Sequence, residues 1–425
     1  MTEQDYDSNL SATSSLESKS NLKFAHLADC HIGGWREQKL RDLNFKSFQK
    51  AIQLCKENSV DFIIISGDLF NTSFPPLHEL KKTVKVLKNL LENQIPVYVV
   101  AGSHDYSPSG KTILDVLEEA GLIINVCKGQ IIEGKLKLNF TIDKKTKVKL
   151  TGMIGKRGML EKTYYEGLDT DSLISETGFK IFLFHTTIDE LKPAELSRME
   201  GSPVSLLPKG FDYYAGGHVH IVEKKSLDGY ANLCYPGPTF PNSFSELEKL
   251  KTGGFYIYDS GVVRWQNVVV CNVETFFING DLKTPTEIES EIFDLINSKE
   301  FYNSLVLFRV QGKLKEGRPG DVNWKKIFEL VIQKGAIFVL KNANKLVSKE
   351  FEEIKVIEGT TEEVENKLIC EHVGQLDFLS ESSEKQLVND LINILQIEKE
   401  EGEKSTDYEN RVIREANMVI NENLF

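Results

Sequence analysis

Five short clusters in this chain carry residues that could do chemistry: Asp29-Cys30-His31, Gly67-Asp68, Gly102-Ser103-His104-Asp105, His185, and Gly216-Gly217-His218-Val219-His220. They hold five of the eight histidines, a concentration that metal binding or proton transfer would explain. Asp29 and His31 are two residues apart, so in an extended chain both side chains leave on one face and can grip one ion. Asp68 could bridge two ions, and His218 and His220 offer one imidazole to each. The glycines let the backbone approach closely. Oxygen and imidazole ligands without thiolate suit an open hydrolytic site for manganese, iron or zinc. Two such ions, about 3.5 to 4 Å apart, clamp a phosphate and ready a hydroxide for in-line attack. The chemistry indicated is that of a metal-dependent hydrolase.

Each cluster falls where a strand should stop. Apolar or β-branched runs at 23–28, 60–66, 97–101, 181–184 and 211–215 read as strands. Two helix-period segments separate the first three. One has Phe45, Phe48, Ala51, Ile52 and Cys55 as its apolar stripe, and the other has Leu77, Leu80, Val84, Leu87 and Leu91. Strand and helix in alternation imply right-handed crossovers and a parallel sheet, with functional groups gathered beyond the carboxyl ends of the strands.

Taken singly, Gly-Asp after an apolar run is an ordinary turn and His-x-His an ordinary structural pair; it is their joint order that points to a site. His26, His78 and His372 lack such company and read as structural or surface residues. Ser109-Gly110-Lys111-Thr112 imitates a phosphate-binding loop, but the first glycine of that motif would fall on Asp105. It reads as a turn before a helix that ends ahead of Gly121.

These clusters resemble the calcineurin-like metallophosphoesterase family, and in detail the SbcD-type nuclease subunit of the DNA double-strand-break repair complex. The specific marks are Asp29-x-His31-x-Gly33, Gly67-Asp68-Leu69-Phe70-Asn71, the Gly-x-His-Asp turn at 102–105, Gly-His-Val-His at 217–220 and Tyr235-Pro236-Gly237. The resemblance implies an α/β fold: a metallophosphoesterase β-sandwich flanked by helices, a small α+β capping domain and a C-terminal helix-loop-helix. It implies two divalent metal ions, most simply manganese. One would take Asp29, His31, Asp68 and His220, and the other Asp68, Ser103, His185 and His218. His104 becomes the proton donor or charge stabiliser, with Asp105 tuning it. Ser103 departs from the family's asparagine, and a hydroxyl is a shorter and poorer donor than an amide. The implied activity is DNA exonuclease and endonuclease cleavage in double-strand-break repair, with an SMC-like ATPase partner and a homodimer. The rivals are another calcineurin-like phosphodiesterase or protein phosphatase, and a non-catalytic DNA- or partner-binding scaffold.

A chain of 425 residues is long for one core and predicts two domains with appendages. Residues 1–20 read as a flexible tail, 21–270 as the nuclease domain, 271–350 as the cap, 351–381 as an acidic linker and 382–425 as partner-binding helices. Six cysteines without paired spacing indicate a reducing compartment. With neither a membrane span nor a signal-peptide core, the expectation is a cytoplasmic or nucleoid-associated protein. The net charge of -12 argues against indiscriminate nucleic-acid binding. Trp35, Arg36, Lys39 and Arg41 could still receive a DNA backbone, or be a solvated loop and helix start. At the C-terminus, Leu387, Leu391, Ile392 and Leu395 form one stripe and Val412, Ile413, Ala416 and Ile420 another. Such stripes must be buried, either on the cap or in a partner's groove.

Overall fold

The computed structural model describes residues 21–107, 112–156, 160–196, 199–348, 369, 380–397 and 405–424. The 1–20 tail, nearly all of the 351–381 linker, residues 109–111 and His372 lie outside the described residues. Two units are defined, divided between Lys349 and Glu350.

The first unit begins as a sandwich of two sheets. One sheet joins β1 (Lys23–Leu27), β2 (Phe62–Ser66), β3 (Val97–Val100) and β4 (Ile124–Asn125) in parallel; β13 (Gly253–Asp259) and β14 (Val262–Val268) extend it antiparallel beyond β1. A separate hairpin pairs β5 (Gly129–Ile132) with β6 (Lys135–Leu138). In the other sheet β8 (Lys149–Gly152), β9 (Lys180–His185), β10 (Tyr213–Gly217) and β12 (Tyr230–Pro236) run parallel. Its edges are β7 (Thr141–Ile142) and β11 (Val222–Leu227).

The period of two along β2 explains the layers. Phe62 and Ile64 join the core between the sheets, while Ile63 and Ile65 join the core under the helices. Phe24 stacks between Phe62 at 5.1 Å and Tyr258 at 4.8 Å, and meets the edge of Tyr213 from the other sheet at 5.1 Å. His26 is a core residue: its ring nitrogens lie 3.0 Å from Tyr213 Oη and 3.0 Å from Ser66 Oγ. Burial lowers its pKa to about 3, so it stays neutral.

Helices α1 (Gln38–Glu57) and α2 (Leu77–Glu92) cover the first sheet's outer face. In α1 the buried stripe includes Phe45, Phe48, Ala51, Ile52 and Cys55. The stripe expected on α2 is corrected: Leu77 and Leu91 face solvent, and Glu79, Thr83, Leu87 and Leu90 are the buried positions. A short helix, α3 (Ile113–Glu119), begins in a capping box between Thr112 and Asp115.

Between β12 and β13 lies α4 (Phe244–Leu250). A smaller domain follows, with β15 (Asn272–Asn279), α5 (Pro285–Asn297), β16 (Ser304–Lys313), α6 (Trp324–Gln333) and β17 (Phe338–Val347). Its three strands are parallel. The α+β arrangement expected for it is therefore corrected to α/β, because each helix is a crossover between parallel strands. Arg309 of β16 clamps Glu248 of α4 through contacts of 2.6 to 2.9 Å, and the two side chains are only 20% and 16% exposed.

In the second unit, α7 (Glu381–Leu395) starts at the cap Ser380 and packs against α8 (Ser405–Leu424). Leu387 is buried, and Leu391, Ile392, Val412, Ala416 and Ile420 are half-buried. Leu395 and Ile413 are 67% and 58% exposed, so they fall outside the covered stripes.

Hydrogen bonds to charged groups contribute about 1.5 to 3 kcal/mol each, so Arg309→Met should destabilise the first unit by a few kcal/mol. Thermal unfolding at a lower temperature, with faster amide exchange across β15 to β17, is the expected result. An unchanged melting temperature would show that the clamp holds nothing.

Candidate metal centre

Every residue expected at the site lies at or just beyond the carboxyl end of a parallel strand: Asp29 and His31 after β1, Asp68 after β2, Ser103 after β3, His185 ending β9, and His218 and His220 after β10. Both sheets thus deliver their functional residues to one end of the sandwich. The chains leaving β1 and β2 run side by side, with Asp29 N, His31 N and Ile32 N donating to the carbonyls of Gly67, Asp68 and Leu69.

The spacing of Asp29 and His31 suggests extended backbone, but the local backbone is left-handed instead. Asp29, His31, Asp68, His218 and His220 have φ of 50, 41, 52, 98 and 53°. Left-handed backbone at residues other than glycine costs of order 1 to 3 kcal/mol each and gathers at functional sites. Here it turns side chains inward that a straight strand would send to alternate faces. Close packing enforces the arrangement. A Cβ on Gly67 would strike the His185 ring, one on Gly102 would strike the Asp68 carboxylate, and one on Gly155 would come within 2.5 Å of His185 Cδ2.

Three overlapping sets bring ligand atoms within 4.8 Å of one another: Asp29, His31 and His220; Asp29, Asp68 and His185; and His31, Asp68 and His104. His31 Nε2 and His220 Nε2 face each other at 2.9 Å. Asp68 Oδ2 is 3.2 Å from His185 Nε2 and 3.6 Å from His31 Nε2, and Asp29 Oδ1 is 3.7 Å from His220 Nε2. His185 Nε2 is buried without a hydrogen bond, although a buried polar atom ordinarily has a partner. These donors fit a divalent cation. The backbone N–H of His218 reaches both oxygens of Asp29 at 3.0 and 3.1 Å, and its ring lies 5.1 Å from that of His185. Ser103 is buried in the turn that also carries His104.

The groups polarise one another. Burial alone would raise the Asp68 carboxyl, but the charges of His185 and His31 and the His104 N–H hold it well below the usual range. Burial raises Asp29 despite nearby His220 and His185. Burial works against the charged forms of His185 and His220, yet Asp68 lifts the first to about 10, and Asp29 with Glu246 lifts the second to about 9. Burial and neighbouring imidazoles lower His31 to about 3 and His218 to about 4. A cluster of carboxylates this tight draws positive charge, from protons or from metal.

His104 and Asp105 separate in role. His104 Nδ1 is 2.8 Å from the Asn71 carbonyl, and its ring stands perpendicular to that of His31 at 4.8 Å. Asp105 instead turns to the backbone, accepting from Leu69 N at 3.1 Å, Phe70 N at 3.0 Å and Gly102 N at 3.2 Å. Its expected role as tuner of His104 is thereby corrected: it braces the Asp68 loop against the 102–105 turn. Burial and the Asp68 charge push its carboxyl up to about 7.

The basic segment is also spent mostly within the protein. Trp35 Nε1 donates to the Pro241 carbonyl, Lys39 Nζ to the Ile337 carbonyl, and Arg41 to the carbonyls of Trp35 and Arg36. These contacts favour the reading as a loop and helix start, and Arg36 is exposed.

One site residue escaped the sequence reading. Glu246 Oε2 lies 3.2 Å from His220 Nδ1. The Ser243-x-x-Glu246 capping pattern at the start of α4 was its only signal.

Residues 22–222 match the calcineurin-like phosphoesterase family model, and with the sandwich and its ligand cluster this makes the segment a calcineurin-like phosphoesterase domain using divalent metal. Within that class, the chain is similar to archaeal proteins named DNA double-strand break repair protein Mre11. The Methanococcus maripaludis protein is 28% identical over 303 residues, covering 68% of this chain and 77% of that relative. The Sulfolobus acidocaldarius protein is 28% identical over 400 residues, covering 91% and 97%. The Methanocaldococcus jannaschii protein is 30% identical, covering 56% and 62%.

Asp105→Asn would set an amide NH2 against backbone N–H donors that now meet a carboxylate. The cost should be about 1 to 3 kcal/mol, accompanied by weaker metal binding because the Asp68 loop loses its brace. Calorimetric titration with a divalent metal tests this; unaltered affinity and stability would refute the bracing role.

Proposed function

We propose that this chain is a two-metal, manganese-dependent DNA nuclease of double-strand-break repair that cleaves phosphodiester bonds both at ends and internally. The observation that carries the reading is the Asp68 carboxylate, buried between His31 and His185 where donors from both sheets converge. Asp29, His31, Asp68 and His220 hold one ion; Asp68, Ser103, His185 and His218 hold the other. When bound, two such ions clamp the phosphate and supply a nucleophile at neutral pH. Similarity to Mre11 proteins over as much as 91% of the chain supports DNA as the substrate.

The chain's own groups do the rest. Nδ1–H of His185 donates to the Ser66 carbonyl at 2.8 Å, which aims Nε2 at the cluster. His104, fixed through Nδ1 on the Asn71 carbonyl, presents Nε2 to the leaving oxygen as proton donor. Ser103 would offer that ion a hydroxyl where an amide would reach further, leaving it to be completed by water or bound less tightly.

Beyond the site, the helices α7 and α8 are read as the seat of an SMC-like ATPase, and the enzyme as a homodimer acting on DNA in the cytoplasm or nucleoid. The half-buried Val412, Ala416 and Ile420 and the exposed Ile413 and Leu395 leave apolar surface for such a partner. Among the described residues, no helix is long and apolar enough to cross a membrane.

The purified chain should cut linear and plasmid DNA with manganese and lose activity with chelator. Asp68→Ala should abolish cleavage while leaving the fold intact, and His104→Ala should retain metal but lose about 10² to 10⁴ in rate. Manganese-dependent turnover of phosphopeptides or small phosphodiesters in place of DNA would overturn the DNA assignment.

A further inference from the structure

His220 reaches the cluster from a loop beyond β10, on a left-handed residue that no strand holds in place. Its ring must be oriented by what touches it. Nε2 points to His31 Nε2, and Nδ1 lies 3.2 Å from Glu246 Oε2. That carboxylate is itself fixed before the imidazole meets it. Oε2 accepts from Asn242 N at 2.8 Å and Oε1 from Ser243 Oγ at 3.0 Å, while Glu246 N donates back to Ser243 Oγ at 3.2 Å.

The helix carrying Glu246 is held from its far side as well. Glu248 is clamped by Arg309, whose guanidinium also lies 5.1 Å from the Phe244 ring centroid. The carboxylate therefore faces His220 from a fixed support. A neutral imidazole that gives Nε2 to a metal must carry its proton on Nδ1, and the acceptor at Nδ1 chooses that tautomer and sets the ring plane. His185 has a neutral carbonyl in this role and His104 another. His220 has a carboxylate.

We propose that Glu246 is a positioning residue for metal binding: by accepting the Nδ1 proton of His220 it fixes that ligand's tautomer and orientation, and so sets the affinity of the ion His220 holds. This rests on the reading of His220 as a ligand. Glu246 also caps α4, so the test must separate orientation from capping. Ser243→Ala removes the cap's hydroxyl and leaves the carboxylate facing His220. Glu246→Asp keeps charge and a good first-turn residue but shortens the reach to His220. Glu246→Gln keeps the reach and an acceptor oxygen.

The measurement is manganese affinity of the full chain, followed by electron paramagnetic resonance of free Mn²⁺, with melting temperatures alongside and His220→Ala as reference. Loss of an orienting partner typically weakens metal binding about 10 to 100-fold. Glu246→Ala and Glu246→Asp should each lose that much, Glu246→Gln should recover most of it, and Ser243→Ala should bind as wild type does. The proposal fails if Glu246→Asp binds as wild type does while His220→Ala has lost an ion. It fails equally if Ser243→Ala loses as much as Glu246→Asp, since capping would then be the whole role. If His220→Ala itself keeps full manganese affinity, the ligand reading beneath the proposal is what falls.

Discussion

The metal centre depends on where one carboxylate sits. Asp68 follows β2 at the point where the two sheets come together, and almost none of it is exposed. Its Oδ1 accepts from His104 N at 2.8 Å, while its Oδ2 faces His185 and His31. Burying a carboxylate is costly unless charge or hydrogen bonds compensate. Here imidazoles from both sheets and an amide from the β3 turn provide that compensation, and a bound cation would complete it. The same group that joins the loops thus favours positive charge beside it.

At the site end, left-handed residues and buried charge gather together, and neighbouring contacts hold them. Left-handed backbone at Asp29, His31, Asp68, His218 and His220 would disfavour folding by itself. It is held by the parallel contacts between the β1 and β2 loops, by Asp105 on three amides, and by glycines that leave room for ligand rings. Behind that end, the aromatic stack of Phe24, Phe62 and Tyr258 provides an apolar interior in which His26 stays neutral.

The sequence made the strand ends and the gathering of carboxylates and imidazoles beyond them legible, through the joint order of clusters that singly read as ordinary turns. Other features depended on contacts far apart in the chain. Spacing alone suggested that Asp29 and His31 share a face of extended backbone, whereas a left-handed turn brings them together. Lys39 and Arg41 read equally as a seat for DNA or as a loop and helix start; Lys39 reaches the distant Ile337 carbonyl, and Arg41 the nearby carbonyls of Trp35 and Arg36. Asp105 adjoins His104 in sequence and serves the Asp68 loop in space. Glu246 was invisible as a site residue because its partner, His220, lies 26 positions earlier, and its capping pattern accounted for it. Leu77 and Leu91 are exposed because the buried face of α2 runs through Glu79, Thr83, Leu87 and Leu90, to one side of the stripe that the apolar residues suggest.

The central claim is that two divalent ions share Asp68. Crystals of the full chain grown with manganese and measured at the manganese absorption edge test it most directly. The account predicts two anomalous peaks about 3.5 to 4 Å apart, one beside Asp29, His31 and His220, the other beside Ser103, His185 and His218, with the Asp68 carboxylate between them. A single peak, or a pair that leaves Asp68 uncoordinated, would contradict it.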